Sequence, residues 1–594
     1  MPEVSQDPRA PERRRRSGAV RAALAVMGMM GMLLAGGVSA GLAEDPPRQP
    51  WKKLSGREAR YLQGGLEQIR RMKGHFDFIG WQPLASGALA AAALASQGGP
   101  EAPKLREEAA RFTAGALDGC AGKWSLHECP RAQLPLQRLA LQYPGELPPA
   151  LLARLRGAVA DSAPPPGEGL IQNPWSFADT ENQRMVTLAR SLVGQVVAGT
   201  PDSPTARGWG AFAEAFLQAH DRDGWYEAES PGYLALSITG LLQLADFAPR
   251  PAVRELARRQ LDGLFTAWAQ EQVGGFPAGA KSRTSSAWAL SPQASPWQAW
   301  AWLAAGIGDP GEINFMDRPE LPVSRYQIPA GAVRRLADRR RQPPYEIRAR
   351  RKITPAKRHA YEAALYAYAT PDYILGVSQT VGDLALRVSG GQEIVATLYA
   401  ESPAFAPLYL WSRTRMPESD EGQTPTRDQA VADKNVALVR LDTPEAGVGH
   451  AFLAPAWSAP EAMGDVVVSR CGDTYVALVT QGGWEIAPAL AKYPDSYGAG
   501  NRRRRDLAGS WVAVPRRQPA SVALVAGRRA EDGDFAAWKK RAAAARLAVG
   551  EDGEIHFTGH LKDGAATRFD FLPGVRAAVA GKTLDTAYPR RSAP

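Results

Sequence analysis

The apolar residues of this chain change their period partway along it. From about residue 54 to 306 they recur at three- and four-residue spacing, as the buried stripe of a helix requires. This spacing predicts roughly ten helices, over 59–72, 87–96, 105–117, 134–142, 149–159, 181–197, 209–219, 233–247, 253–269 and 297–306. Glycine- and proline-rich breaks at 98–100, 164–167, 199–204 and 249–251 separate them, which makes antiparallel helix pairs the natural arrangement. No repeat of fixed length underlies them, so a strict solenoid is not supported. From residue 373 onward short β-rich runs take over, at 373–377, 393–399, 436–441, 465–469, 474–480, 510–514, 521–525, 554–558 and 567–571. A helical insert at 535–547 interrupts them. Regular short strands of this kind suggest a sandwich. The expected fold is therefore α+β and multidomain. An N-terminal incomplete α/α toroid spans 50–306, a basic connector spans 307–370, and a C-terminal antiparallel β-sandwich spans 371–594.

The first 43 residues read separately. Arg13 to Arg16 and Arg21 form a positive block, an apolar run from Ala22 to Leu34 follows, and Val38-Ser39-Ala40 offers a small-residue cleavage site. That order is the signature of a secretory signal. The alternative is an uncleaved anchor, although the run is short for a span and diluted by glycine. Either way the body is expected outside the cytoplasm, periplasmic or extracellular, with membrane contact only through an uncleaved N-terminal segment. Paired arginines leave the export route open. Apolar residues make up 45% of the chain and charged residues 22%, enough to build a sizeable core. The three cysteines rule out a disulfide scaffold, and no Cys/His spacing resembles a zinc site. Cys120 and Cys129 flank a short loop and would bridge in an oxidising compartment, or else stay as buried thiols. The net charge of +10 is concentrated in arginine blocks at 334–335, 339–341, 348–352 and 502–505. Such blocks favour a polyanion, or are solvated surface.

Three loops between helices carry the residues suited to chemistry. The first is Asn173-Pro174-Trp175-Ser176-Phe177-Ala178-Asp179-Thr180-Glu181-Asn182-Gln183. It packs amides and an indole against a helix start, where N–H donors meet anions. Capping by Asp179 or Thr180, with Glu181 in the first turn, accounts for part of it but not for Asn173, Trp175 and Asn182 together. The second runs from His220 to Tyr233 and holds a histidine, Trp225, Tyr226, Glu229 and several further acids. Nearly every residue type used in acid–base work is present. Read blandly, it is a polar linker capped by Ser230 with Pro231 starting the next helix. The third, Gly274 to Arg283, is a glycine-rich loop ending in Lys281 and Arg283, suited to closing over an anion or simply a connector. Trp175, Trp225, Trp297, Trp300 and Trp302 are candidate sugar platforms, with core packing as the commoner use. The absence of P-loop, dinucleotide, HExxH and G-x-S-x-G motifs argues against nucleotide, zinc-hydrolase and serine-hydrolase activity.

These segments resemble the heparinase II/III-like polysaccharide lyases and their exported relatives. The likeness rests on Thr180-Glu181-Asn182-Gln183 after Trp175, on Glu229-Ser230-Pro231-Gly232-Tyr233, and on the glycine-rich loop ending at Arg283. It covers about residues 50–310 by motif and the rest by domain order. Relatives of that family carry His where Gln183 stands. The resemblance implies β-elimination on a uronate-containing polysaccharide, with no metal or other cofactor and no nucleic acid partner. Asn182 and Arg283 would hold the carboxylate, Tyr233 would be base or acid, and His220 its partner, with Glu229 nearby. Asn173, Trp175, Glu181, Gln183, Trp225 and Tyr226 would line the substrate cleft. Two rival readings stand beside it. One is an inverting glycosidase using Glu181 and Glu229, which needs carboxylates about 6.5–9.5 Å apart. The other is a non-catalytic envelope protein that binds or assembles glycan.

Overall fold

Ten helices occupy the places where the three- and four-residue spacing predicts them: Gly56–Arg71, Gln82–Ala95, Ala102–Cys120, Cys129–Gln142, Pro149–Val159, Glu181–Val197, Pro204–Asp223, Tyr233–Phe247, Pro251–Gln270 and Trp297–Ala305. The computed structural model describes residues 51–72, 81–123, 129–160, 163–176, 180–225, 227, 230–281, 296–308, 318–353, 361–381, 394–413, 428–442, 448–492, 508–559, 568–573, 575–586 and 588. Local signals set several of the helix ends. Ser55 and Glu58 form a reciprocal capping box at the first, and Ser203 caps Pro204–Asp223 by accepting from Ala206. One apolar cluster runs through all ten. The helix Gln82–Ala95 is buried along its whole length, so its sequence is mostly alanine and leucine with no polar face.

Cys120 and Cys129 are joined by a disulfide with a Cα–Cα distance of 5.7 Å, tying the end of one helix to the start of the next. A second tie is ionic. The Arg138 guanidinium meets the Asp246 carboxylate at 2.7 Å, both side chains excluded from solvent. Ser324 donates to the same carboxylate at 2.7 Å, which holds the segment after Glu320–Val323 against the helices.

The second half is built of antiparallel sheets. An eight-stranded sheet runs edge to edge through Trp484–Pro488, Trp511–Pro515, Val448–Leu453, Pro407–Arg413, Ala396–Ala400, Tyr373–Val381, Tyr361–Ala369 and Tyr345–Ile353. A six-stranded sheet runs through Glu461–Met463, Val466–Cys471, Thr474–Thr480, Ala520–Arg528, Val436–Leu441 and Gln429–Asp433. A five-stranded sheet follows the chain from Arg546–Val549 through Ile555–Thr558, Arg568–Leu572 and Arg576–Val579 to Lys582–Thr583. Alternate residues of the six-stranded sheet belong to two cores. Val439, Leu478 and Leu524 join an apolar cluster with Ile374, Leu398 and Leu410 of the eight-stranded sheet. Their neighbours Leu438, Ala477 and Ala523 join Ile555, Phe557 and Phe569 of the five-stranded sheet, with Trp538. A sheet buried on both faces reads as continuous apolar runs rather than an alternation, as Thr474–Thr480 does.

Two expectations need amending. The stretch 307–370, read as a basic connector, contains the helix Ala330–Ala337 and the strands Tyr345–Ile353 and Tyr361–Ala369, so sheet structure begins at Tyr345. The arginines at 348–351 sit in the edge strand of the eight-stranded sheet, where charge keeps an open edge from pairing with another chain. The helical insert ends at Ala542, and Leu547 belongs to a strand. The helical and strand-rich regions lie within one compact unit, Pro50–Pro594. Among the described residues no helix is long and apolar enough to cross a membrane.

Candidate functional site

The first two loops meet at a single buried cluster. The helix Glu181–Val197 opens at Thr180, which has the extended backbone of a cap but makes no side-chain capping bond. The cap comes instead from 45 residues away: the Glu227 carboxylate accepts from the Asn182 backbone N–H at 3.0 Å. An acid at this place satisfies an orphan donor and lies at the positive end of the helix. The Asn182 side-chain amide also donates to both Glu227 oxygens, at 3.0 and 3.1 Å. Glu181, on the first residue of that helix, returns the contact by accepting from the Glu227 backbone N–H at 2.9 Å.

The other oxygen of Glu181 lies 2.9 Å from Nε2 of His220. Nδ1 of the same ring lies 2.8 Å from the Phe216 carbonyl. A carbonyl only accepts, so Nδ1 is the donor in that contact. The ring is 1% exposed. Trp175, Phe216 and Trp225 wall it at centroid distances of 4.7, 4.3 and 4.0 Å. Both indoles are themselves anchored. Trp175 donates to Asp223 at 3.0 Å and Trp225 to Gln260 at 2.6 Å, while Gln260 reaches back to Asp221. The indoles therefore face His220 and are buried. Trp297 and Trp300 are wholly buried in the helical core beside Phe265 and Trp268.

A hydrogen-bonded chain leads on to Tyr233. Ser230 donates its backbone N–H to the Glu227 carbonyl at 2.9 Å, and its hydroxyl accepts from the Tyr233 N–H at 3.2 Å. Of the candidate catalytic residues that are described, Asn182 and His220 are buried, and Tyr233 keeps a half-buried side chain. Gln183 is buried in the first turn beside Asn182, and Asn173 is exposed. Tyr226, Glu229 and Arg283 lie outside the described residues.

The glycine-rich third segment is a tight hairpin. Gln272–Val273 pairs with Phe276–Pro277 around Gly274 and Gly275, whose φ angles of 57° and 83° only glycine adopts without strain. Lys281 is buried, donates to the carbonyls of Ala278 and Gly279 at 3.2 Å each, and lies over the Tyr399 ring.

Both oxygens of Glu181, both oxygens of Glu227, both nitrogens of His220 and the amide nitrogen of Asn182 thus have partners inside the cluster. Among the described residues of the cluster, the Asn182 side-chain oxygen is a buried atom without a hydrogen-bond partner. Sequence reasoning passed over Glu227, which is 0% exposed and joins the two loops. It lies two residues from Glu229 in a loop, and loop side chains follow no period that would separate them. Among the described residues no group of three His, Cys, Asp or Glu side chains is placed to hold a metal ion. No family model matches this chain, and no curated protein matches it.

Proposed function

We propose that this is an exported polysaccharide lyase-like enzyme that cleaves a uronate-containing glycan by β-elimination, with Tyr233 as the proton-transfer group. The observation that carries it is that hydrogen bonds from His220 through Glu181, Glu227 and Ser230 to the backbone N–H of Tyr233 tie both motif-bearing loops together and fix the helix start that bears the phenol. In this reading the phenolate takes the proton next to the uronate carboxyl. The bond to the leaving sugar oxygen breaks as the new carbon–carbon double bond forms, and the phenol returns its proton to that oxygen. Rapid transfer asks for a group within reach of both atoms, and Tyr233 is the half-buried member of the set. Asn182 spends its donors on Glu227, so it positions the loop, and the substrate carboxylate falls to other donors such as Arg283. Glu181 has both oxygens engaged, which argues against its use as one of two glycosidase carboxylates. The helical region as an incomplete toroid and the sheets as a sandwich belong to the same reading. Export is supported by the N-terminal basic and apolar segments and by the Cys120–Cys129 bridge, which forms in oxidising compartments.

A second reading keeps the site as a glycan-binding cleft without chemistry. Gln183 and the burial of His220 favour it. Incubation with a panel of uronate polysaccharides separates the two. The enzyme reading expects ultraviolet absorbance from an unsaturated product and a loss of about 10²–10⁴-fold in kcat/KM for Tyr233→Phe, with glycan binding retained. Binding with no product from any polysaccharide of the panel would replace it by the second reading.

A further inference from the structure

A groove of about 120 Å³ opens in the strand-rich region, where the three sheets meet. Its shape follows from strand register. Arg350, Ala364 and Gln379 are direct cross-strand partners in three neighbouring strands, Arg350 opposite Ala364 and Ala364 opposite Gln379. A methyl group between two long polar side chains leaves a dip. Ala430 of the six-stranded sheet and Ala577 of the five-stranded sheet continue that low floor, and Phe571 supplies an aromatic face. Larger residues at these alanines would close the hollow. Among the large apolar residues described, Val575 at its mouth is the most exposed, at 73%.

The charge of the wall is one-sided. Arg350 and Arg576 both line the groove, and among the described residues no lining side chain is acidic. Each guanidinium meets one carboxylate outside the lining, Arg350 with Glu362 at 3.1 Å and Arg576 with Glu554 at 3.0 Å. A guanidinium has five N–H donors, so each keeps donors beyond its single partner. The Arg350 contact with Glu362 runs through Nε, which leaves its two terminal nitrogens as the donors that remain. Thr586 and Tyr588 add neutral polar groups. Burial pushes the Tyr588 phenol up to about 12, against the opposing pull of Arg348, so it stays a neutral hydroxyl near pH 7.

We infer that this groove binds one carboxylated sugar ring, a single uronate unit of an acidic glycan. About 120 Å³ is less than the about 150 Å³ of a cavity that holds benzene, so the open groove seats part of one ring against its floor and no more. A carboxylate answers the two guanidiniums in the geometry that arginine favours. Hydroxyls answer Gln379, Thr586 and Tyr588, and the apolar face of the ring answers Phe571 and Val575. The site is separate from Tyr233 and does not depend on elimination chemistry.

The test titrates the full chain carrying Tyr233→Phe with free glucuronate, and in parallel with glucose and benzoate, by calorimetry. Saturable glucuronate binding is expected, with both controls at least about tenfold weaker, because each lacks half of the recognition. Arg576→Gln, at an exposed position, should weaken glucuronate about tenfold by removing a charge-assisted contact. Ala577→Leu should abolish binding by filling the floor, and its circular dichroism shows whether the chain has folded. Absence of saturable binding, equal affinity for glucose or benzoate, or an affinity unchanged by Arg576→Gln would overturn the proposal. A missing unsaturated product sinks only the elimination reading and leaves this titration as it stands.

Discussion

Two histidines in this protein face carboxylates under opposite conditions. His220 is 1% exposed, walled by three aromatic rings, and bonded through both nitrogens to Glu181 and the Phe216 carbonyl. His556 stands on the five-stranded sheet with 31% of its side chain exposed. Its Nδ1 lies 2.8 Å from Asp570, its direct cross-strand partner, and its Nε2 lies 3.7 Å from Glu554. The bond lengths are nearly equal, so distance does not separate the two. Water does. At His556 solvent replaces any lost partner and screens the charges. At His220 a lost partner leaves a polar group buried and unmatched. The first arrangement decorates a surface, and the second fixes two loops in one geometry.

Removing a hub of the buried cluster is the harshest way to break this comparison. Glu181→Ala leaves His220 Nε2 and the Glu227 N–H without partners, both inside the protein. Leaving two buried polar groups unmatched costs about 1–3 kcal/mol for each. The midpoint of urea denaturation should fall accordingly, and a change below about 1 kcal/mol would place His220 among the surface-like pairs. Glu227→Gln is milder, since the shape is kept and one acceptor remains for Asn182. It should cost about 1–3 kcal/mol. Hydrogen exchange at the Asn182 amide should rise with it, because that N–H is capped by Glu227. An unchanged exchange rate there would separate the carboxylate from the cap.

Most helices were legible because they bury one face and burial at 3.6-residue spacing survives in the sequence, whereas Gln82–Ala95, buried all round, shows as a long run rich in alanine and leucine. The six-stranded sheet was legible as strands and not as a middle layer, because both its faces are covered and its alternation is lost. The strand Tyr345–Ile353 hid behind its charges. Its period of two is present, with Glu346 and Arg348 exposed while Ala349 and Arg351 are buried, but a run of arginines reads as linker. Arg339, read as surface cation, is buried and donates to Glu401 at 2.9 Å. In the site, Asn182, Glu181, His220, Trp175 and Trp225 were readable as a set because their loops are rich in polar and aromatic residues. Their division of labour was not. Whether an amide donates to a substrate or to Glu227 depends on which side chains meet across 45 residues, and no local pattern records that.

The surface member of the comparison gives the smallest effect and the clearest sign. Burial alone would raise the Asp570 carboxyl, but hydrogen bonds from His556 and Arg568 outweigh it and hold the group below its ordinary value. A carboxylate depressed in the folded state contributes stability above its unfolded pKa of about 3.9 and loses it as pH falls through the lower folded value. Asp570→Asn should therefore cost stability at neutral pH and converge on the parent protein in acid below that value. The cost should stay under about 1 kcal/mol, since His556 and Arg568 are both open to water, and should shrink further at 1 M salt. Parallel denaturation curves at pH 7 and at successively lower pH, followed until the two proteins converge, check it. A loss of about 3 kcal/mol that salt does not reduce would mean that the His556 pair behaves like the buried one, and exposure would no longer explain the difference.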